Sequence, residues 1–322
     1  MRRAIAGLAI ASLAALSASL VAAEESPLQR AGRGAARVNF EGTLRIRWFD
    51  GVTARSELLS VRGANGSVVV RGGVAAMASP GQRLVEHAGG VWDLLWPSDQ
   101  VGSGRPDPAL KYQIAAAAVA TVSGRPANVI EVRHGGALLE RLALDQASGL
   151  LLRREQFEGA GGEPSRTVEF ETVTVGGATA APERPQTIVN VAPEPVAAPK
   201  AAAGLAGGYQ RIGVYKRSGV TQLLYSDGLY DLSVFQQAGR LDRSHLPAGA
   251  DVELAASTGV RYAWPGGHVV VWAASGMVYT AVSDAPLSQV LAAARSLPLT
   301  SGSPSLLRRL RQVCRALIQP LA

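Results

Sequence analysis

Catalysis and metal binding need nucleophiles, acids, bases or soft ligands at defined spacings, and this chain carries few of them. Its one cysteine, Cys314, can close no disulfide within the chain, form no CxxC redox pair and build no thiolate zinc site. The four histidines, His87, His134, His245 and His268, stand far apart without an HExxH pair, and no spacing joins them to Asp93, Asp99 or Asp107. G-x-S-x-G, the Walker loop and a G-x-G-x-x-G between strand and helix are all missing. The residue types therefore predict no enzyme, no metal and no cofactor.

The aromatic residues say more. Trp92 and Trp96 lie four apart on a strand and so share a face, while Trp48 and Phe49 end another strand. Trp48, Trp92 and Trp96 either fill the core or floor an apolar groove that takes a ligand. In Leu224-Tyr225-Ser226-Asp227-Gly228-Leu229-Tyr230-Asp231, Asp227-Gly228 is a hairpin turn flanked by tyrosines. Exposed tyrosine is frequent at protein-binding surfaces, which makes Tyr225, Asp227 and Tyr230 candidate partner contacts; a tight hairpin and nothing more is the other reading.

These residues must be held by short strands. From Asn39 to Val175 β-type runs alternate with turns, the pattern of an antiparallel meander of about eight strands. Leu44, Ile46 and Trp48 take one face of the first strand, and Thr43, Arg45 and Arg47 the other. Asn65-Gly66, Gly89-Gly90 and Gly135-Gly136 mark hairpins. Pro27 to Val38 has helical spacing, weakened by Gly32 and Gly34, and Ile114 to Ala120 reads equally as helix or strand. Residues 176–208 carry five prolines among Ala, Thr and Val and read as an extended connector. Six further strands follow, then a helix from Ala285 to Leu297 with Asp284 as its N-cap.

The ends have their own character. Arg2 and Arg3 precede an apolar or small run from Ala4 to Ala23, and Val21-Ala22-Ala23 ahead of Glu24 fits a signal-peptide cleavage site; an uncleaved signal anchor is the competing reading. Residues 305–318 form an amphipathic helical pattern, with Leu306, Leu310, Val313 and Leu317 on one arc and Arg308, Arg309, Arg311 and Arg315 on the other. Such a tail either docks on the protein or lies on an anionic membrane surface. The formal charge is +7, of which Arg2 and Arg3 supply two and the four tail arginines four, so the body is nearly neutral. No broad basic face for nucleic acid is implied.

Read in order, Asn39-Phe40-Glu41-Gly42-Thr43, Ser123-Gly124-Arg125-Pro126, Leu142-Ala143-Leu144-Asp145 with Ser148-Gly149-Leu150-Leu151-Leu152, and Tyr225-Ser226-Asp227-Gly228-Leu229 with Ser233-Val234-Phe235 resemble the MucB/RseB family of periplasmic sigma-factor regulators. The series spans Leu28 to Leu297, and the basic tail is an addition to it. The resemblance implies an α+β protein: a large LolA-like half-barrel of antiparallel sheet with helices, and a smaller α+β domain. It also implies an anti-sigma factor periplasmic domain as partner, held away from a protease, and a lipid or lipopolysaccharide ligand that releases it. The expected organisation is a signal peptide at 1–23, a large domain at 24–175, a connector at 176–208, a small domain at 209–298 and a basic tail at 299–322, in a periplasmic protein. A lipid or lipoprotein carrier is the rival function.

Overall fold

The computed structural model describes residues 27–28, 38–64, 67–71, 105–159, 162–177, 194–195, 202–217, 219–254 and 257–297. The signal segment, Trp92 and Trp96, the hairpin at Gly89-Gly90 and the tail 299–322 lie outside these residues. So does the helix expected from Pro27 to Val38, apart from helical Pro27 and Leu28 and from Val38, which is not helical.

Alternation builds the first sheet. Its strands are β1 (Phe40–Phe49), β2 (Ala54–Ala64), β3 (Ser67–Arg71), β4 (Gln113–Val122), β5 (Arg125–His134), β6 (Ala137–Asp145), β7 (Leu151–Phe157) and β8 (Pro164–Val175). They are ordered β3-β2-β1-β8-β7-β6-β5-β4, two meanders joined where β1 pairs antiparallel with β8. Leu44 and Ile46 are buried, whereas Arg45 and Arg47 lie on the opposite face, as the period of two requires. Ala64 pairs with Ser67, which leaves a two-residue connection at Asn65-Gly66. Gly135 and Gly136 take φ of +56° and +83° between β5 and β6, the left-handed pair of a tight hairpin. The ambiguous alanine run is strand: Ile114 pairs with Val132 and Ala120 with Ala127, and the β-branched Val119, Thr121 and Val122 prevail over the local helix preference of alanine.

The outer face carries a ladder of opposite charges. Arg153 stands between Glu155 and Glu169, and Arg141 between Glu131 and Glu155, at 3.1 to 3.8 Å. These pairs are partly exposed and contribute little individually.

The second sheet comprises β9 (Glu194–Pro195), β10 (Gly204–Leu205), β11 (Tyr209–Arg217), β12 (Val220–Ser226), β13 (Asp231–Ala238), β14 (Ala250–Leu254), β15 (Ser257–Trp264), β16 (Gly267–Ala274) and β17 (Met277–Ser283). Its order is β10-β11-β12-β13-β17-β16-β15-β14, with β9 also on β11. Two pieces of the expected connector thus extend this sheet. The central strands β12, β13, β16 and β17 are buried on both faces. Helix α1 (Leu287–Ser296) turns Val290, Ala293 and Ala294 inward. One apolar core runs from Leu44, Ile46 and Val168 of the first sheet to Tyr230, Val234, Trp272 and Val290 of the second unit. A smaller cluster around Phe235, Val269 and Val271 fills the second sheet's other face.

Candidate functional site

Where the two sheets meet, the shared core gives way to a buried polar seam. One half is built around the Asp227-Gly228 hairpin between β12 and β13. The Asp227 carboxylate shapes the turn, since its Oδ1 accepts from Leu229 N at 3.0 Å and Tyr230 N at 2.8 Å. Its Oδ2 reaches the first sheet, accepting from Tyr112 Oη at 2.5 Å and from Lys111 Nζ. Lys111 also donates to Gln289 of α1 at 3.2 Å and lies 4.6 Å above the Tyr112 ring. Asp107 prepares this contact. It caps the 3-10 turn Pro108–Leu110 by accepting from Ala109 N at 2.9 Å, so the chain reverses just before Lys111 and Tyr112. Arg105 Nη1 donates to Asp231 at 2.5 Å beside it.

Gly228 sets how closely the halves approach. It has φ of +93°, and a Cβ placed there would lie 2.4 Å from Pro106 O and 2.8 Å from Pro108 N. Burial, then the Asp227 charge, push the Tyr112 phenol far above its ordinary range, so it stays a hydrogen-bond donor. Burial raises Asp231 to about 6, against the opposing pull of Arg105.

The other half lies on the inward face of β6, β7 and β8. Pairing places Trp48, Arg166, Gln156, Glu140 and Val132 in one row across five strands. Arg154, fully buried, donates through Nε to both Glu140 oxygens at 3.1 and 3.2 Å, and through Nη2 to Glu140 at 2.5 Å and Asp284 at 2.9 Å. Gln156 donates to Glu140 at 3.1 Å and to Asp284 O at 2.6 Å. Arg166 donates to Pro265 O at 2.7 Å and to Gln156 Oε1 at 2.6 Å. Burial, reinforced by Arg154, pulls Arg166 down to about 10, which leaves it charged at neutral pH. Burial raises Asp284 although Arg154 opposes it.

A third contact joins the units at the helix start. Glu158, just after β7, accepts from His268 Nε2 at 2.6 Å and from Leu287 N at 3.1 Å. This corrects the expected N-cap. Pro286 is the cap residue and has no side-chain capping bond, Asp284 is drawn into the seam by Arg154, and a carboxylate of the first sheet serves the helix terminus instead.

Of the candidate ligand residues, Trp48 is half-buried at the end of the inward row, packed against the core; Trp92 and Trp96 are outside the described residues. Tyr225, Asp227 and Tyr230, expected to offer a partner surface, do not form one. All three are buried: the hairpin is spent on the first sheet, Tyr225 Oη donates to Ala202 O at 3.3 Å, and Tyr230 meets the Tyr112 ring edge-on at 6.1 Å. The described histidines sit in separate contacts, with Lys111 O, Asp242 and Glu158. Among the described residues no group of His, Cys, Asp and Glu could hold a metal ion.

Sequence reasoning missed Glu140, Arg154, Gln156 and Arg166. The signal was present in the phase of the strands: Glu140 is in step with inward Leu142, and Arg154 with inward Leu152. Charges of opposite sign on the apolar faces of neighbouring strands mark a buried pair.

The seam gives each of its carboxylates a cationic partner, and what it can do chemically is fix one α+β unit upon another. No helix among the described residues is long and apolar enough to cross a membrane. Among solved structures, the chain is similar to MucB in complex with MucA(peri), at 19% identity and a TM-score of 0.46 over 86% of this chain and 98% of that one. It is also similar to MucB in the Pseudomonas aeruginosa MucA/MucB complex (19%, TM-score 0.48, 86% and 98%) and to MucB alone (20%, 0.48, 84% and 96%). No protein-family model and no curated protein matches it.

Proposed function

We propose that the chain is an exported, periplasmic, non-enzymatic regulator that binds the extracytoplasmic part of an anti-sigma factor and shields it from proteolysis. One observation carries this: three segments of the MucB/RseB resemblance form a strand pairing and turns that build the first sheet, and the fourth docks the second sheet on it. Asn39 to Thr43 opens β1 where it meets β8, and Ser123 to Pro126 turns β4 into β5. Leu142 to Leu152 turns β6 into β7, with Asp145 Oδ2 accepting from Ser148 N at 2.9 Å and Arg125 Nε donating to Oδ1 at 2.8 Å. Tyr225 to Leu229 is the docked hairpin. Such residues support a shared scaffold, and with it the partner that the resemblance implies.

In this mechanism the partner segment lies against both units, and Tyr225, Asp227 and Tyr230 act by holding those units in register. An amphiphile taken up by the first sheet, with Trp48, Trp92 and Trp96 as its lining, releases the partner. It must bind the partner-free form more tightly than the bound one, since equal affinity shifts nothing. The test uses the purified extracytoplasmic segments of the source cell's single-span anti-sigma factors, each digested by its first regulatory protease with and without this chain. Stoichiometric protection of one segment is expected; no binding and no protection of any would overturn the proposal.

A further inference from the structure

The outer face of the first sheet carries its charge ladder across the central strands β5 to β8, and the β1–β2 end differs. There the β1–β2 register places Phe49 and Leu58 among Arg45, Arg47, Ala54 and Ser56 on the outward side. Phe49 is 52% exposed, Leu58 48%, and Val52 at the apex of the turn 84%. The turn is firmly built. Asp50 Oδ1 accepts from Val52 N at 2.9 Å and Thr53 N at 2.8 Å, while Oδ2 accepts from Thr53 Oγ1 at 3.2 Å and Arg55 Nε at 2.8 Å. Those bonds hold the Asp50 carboxyl well below the usual carboxylate range and use up its oxygens inside the turn.

Cations surround the tip. Arg47 is exposed, Arg55 keeps most of its side chain in solvent, and the Arg261 guanidinium from β15 lies 3.6 Å from where a Cβ on Gly51 would stand. The patch sits at a hairpin tip and is three apolar side chains wide. That is far short of the roughly 800 Å² per partner that a stable protein interface needs. It has the form by which a protein enters a bilayer interface, with apolar side chains among the headgroups and arginines on the phosphates.

We propose that the β1–β2 tip docks on an anionic lipid surface, with Val52 and Phe49 entering the headgroup region and Arg47, Arg55 and Arg261 meeting lipid phosphates. This contact is separate from the basic tail and does not depend on the partner proposal.

The test places a nitroxide at position 52 of the exported chain (Val52→Cys in a Cys314→Ser background), with Leu110→Cys, equally exposed at 84%, as the aqueous control. Vesicles of phosphatidylcholine with phosphatidylglycerol, and of phosphatidylcholine alone, are the probes. The spin label at 52 is expected to become oxygen-accessible and shielded from a water-soluble nickel reagent on the anionic vesicles at low salt, while the label at 110 stays aqueous. Phe49→Ser with Val52→Ser is expected to weaken vesicle partition about tenfold with only a small change in thermal unfolding, because Val52 is 84% and Phe49 52% exposed. A chain that pellets with vesicles while position 52 stays as aqueous as 110 overturns the proposal, and points to the tail. So does failure to bind anionic vesicles at all, or immobilisation of the label by raised protein concentration without lipid, which would mark a protein contact.

Discussion

Gly228→Ala tests the seam most directly, because an equivalent glycine elsewhere supplies the control. Gly136 has φ of +83° and nothing within 4 Å of the point where an added methyl would stand, so Gly136→Ala measures only the cost of a left-handed alanine, about 1–2 kcal/mol. Gly228 has φ of +93°, and its Cβ would meet backbone atoms of Pro106 and Pro108 at 2.4 to 3.0 Å. Backbone cannot yield as a side-chain end can, so the hairpin must retreat. Retreat of that size parts Asp227 from Lys111 and Tyr112 and loosens Arg105 from Asp231. Breaking one buried pair costs about 3–5 kcal/mol. Gly228→Ala is therefore expected to exceed Gly136→Ala by about 3 kcal/mol or more in urea unfolding. Trp48 reports on the first sheet, and Trp264 and Trp272 on the second, so an opened seam also appears as two fluorescence transitions in place of one. If Gly228→Ala and Gly136→Ala match within about 0.5 kcal/mol, with a single transition in both, the hairpin does not hold the sheets together.

Three further outcomes are expected. Glu140→Leu and Arg154→Met should each cost about 3–5 kcal/mol, and the double variant less than the sum of the two; additive losses in a double-mutant cycle would deny the pairing. Asp231 titrates near 6 in the folded chain against an ordinary aspartate value of 3.8, so between those values the native state binds more protons than the unfolded one. Its contribution to stability therefore falls as pH rises from about 4 to about 6, by at most about 1.4 kcal/mol per pH unit, a slope that Asp231→Asn should remove from the urea midpoint profile and whose absence in the parent would contradict the raised value. Glu158→Ala should cost about 1 kcal/mol through loss of the carboxylate at the α1 N-terminus, whereas Glu158→Ala matching the parent in thermal unfolding would mean that water serves Leu287 equally well.

What could be read from the chain was local. The glycine pair at 135 and 136 and the alternation through Leu44 and Ile46 are complete within a few residues, so hairpin and buried face follow from backbone sterics and a period of two. β14 was not legible, because Val252 is its one buried residue and its neighbours are Asp251 and Glu253. Nor was the pairing of β1 with β8, which joins Phe40 to Val175 through contacts no window spans. Asp284 shows how a correct local rule is overridden: an aspartate before Ala-Pro suits an N-cap, yet a buried guanidinium from another sheet outweighs one exposed capping bond. The tyrosine hairpin failed in the same way. Its turn was legible; its burial was set by residues 105–112, more than a hundred positions away.

The composition of the seam bears on how two packed sheets are held in register. An apolar junction alone would tolerate sliding, since burial of area has no direction. Arg154 must meet Glu140 and Asp284 at once, and Asp227 must meet Lys111 and Tyr112 while closing its own turn. Few relative placements of the sheets satisfy both. Because the desolvation of such groups nearly offsets their attraction, they add little net stability to the junction while making every misplaced arrangement costly. Two discrete states, seated and parted, follow more naturally from that balance than a continuum between them. Any ligand that shifts the sheets must then supply polar partners for Arg154 and Asp227, or bring water to them, and a purely apolar ligand confined to the core cannot do so by itself.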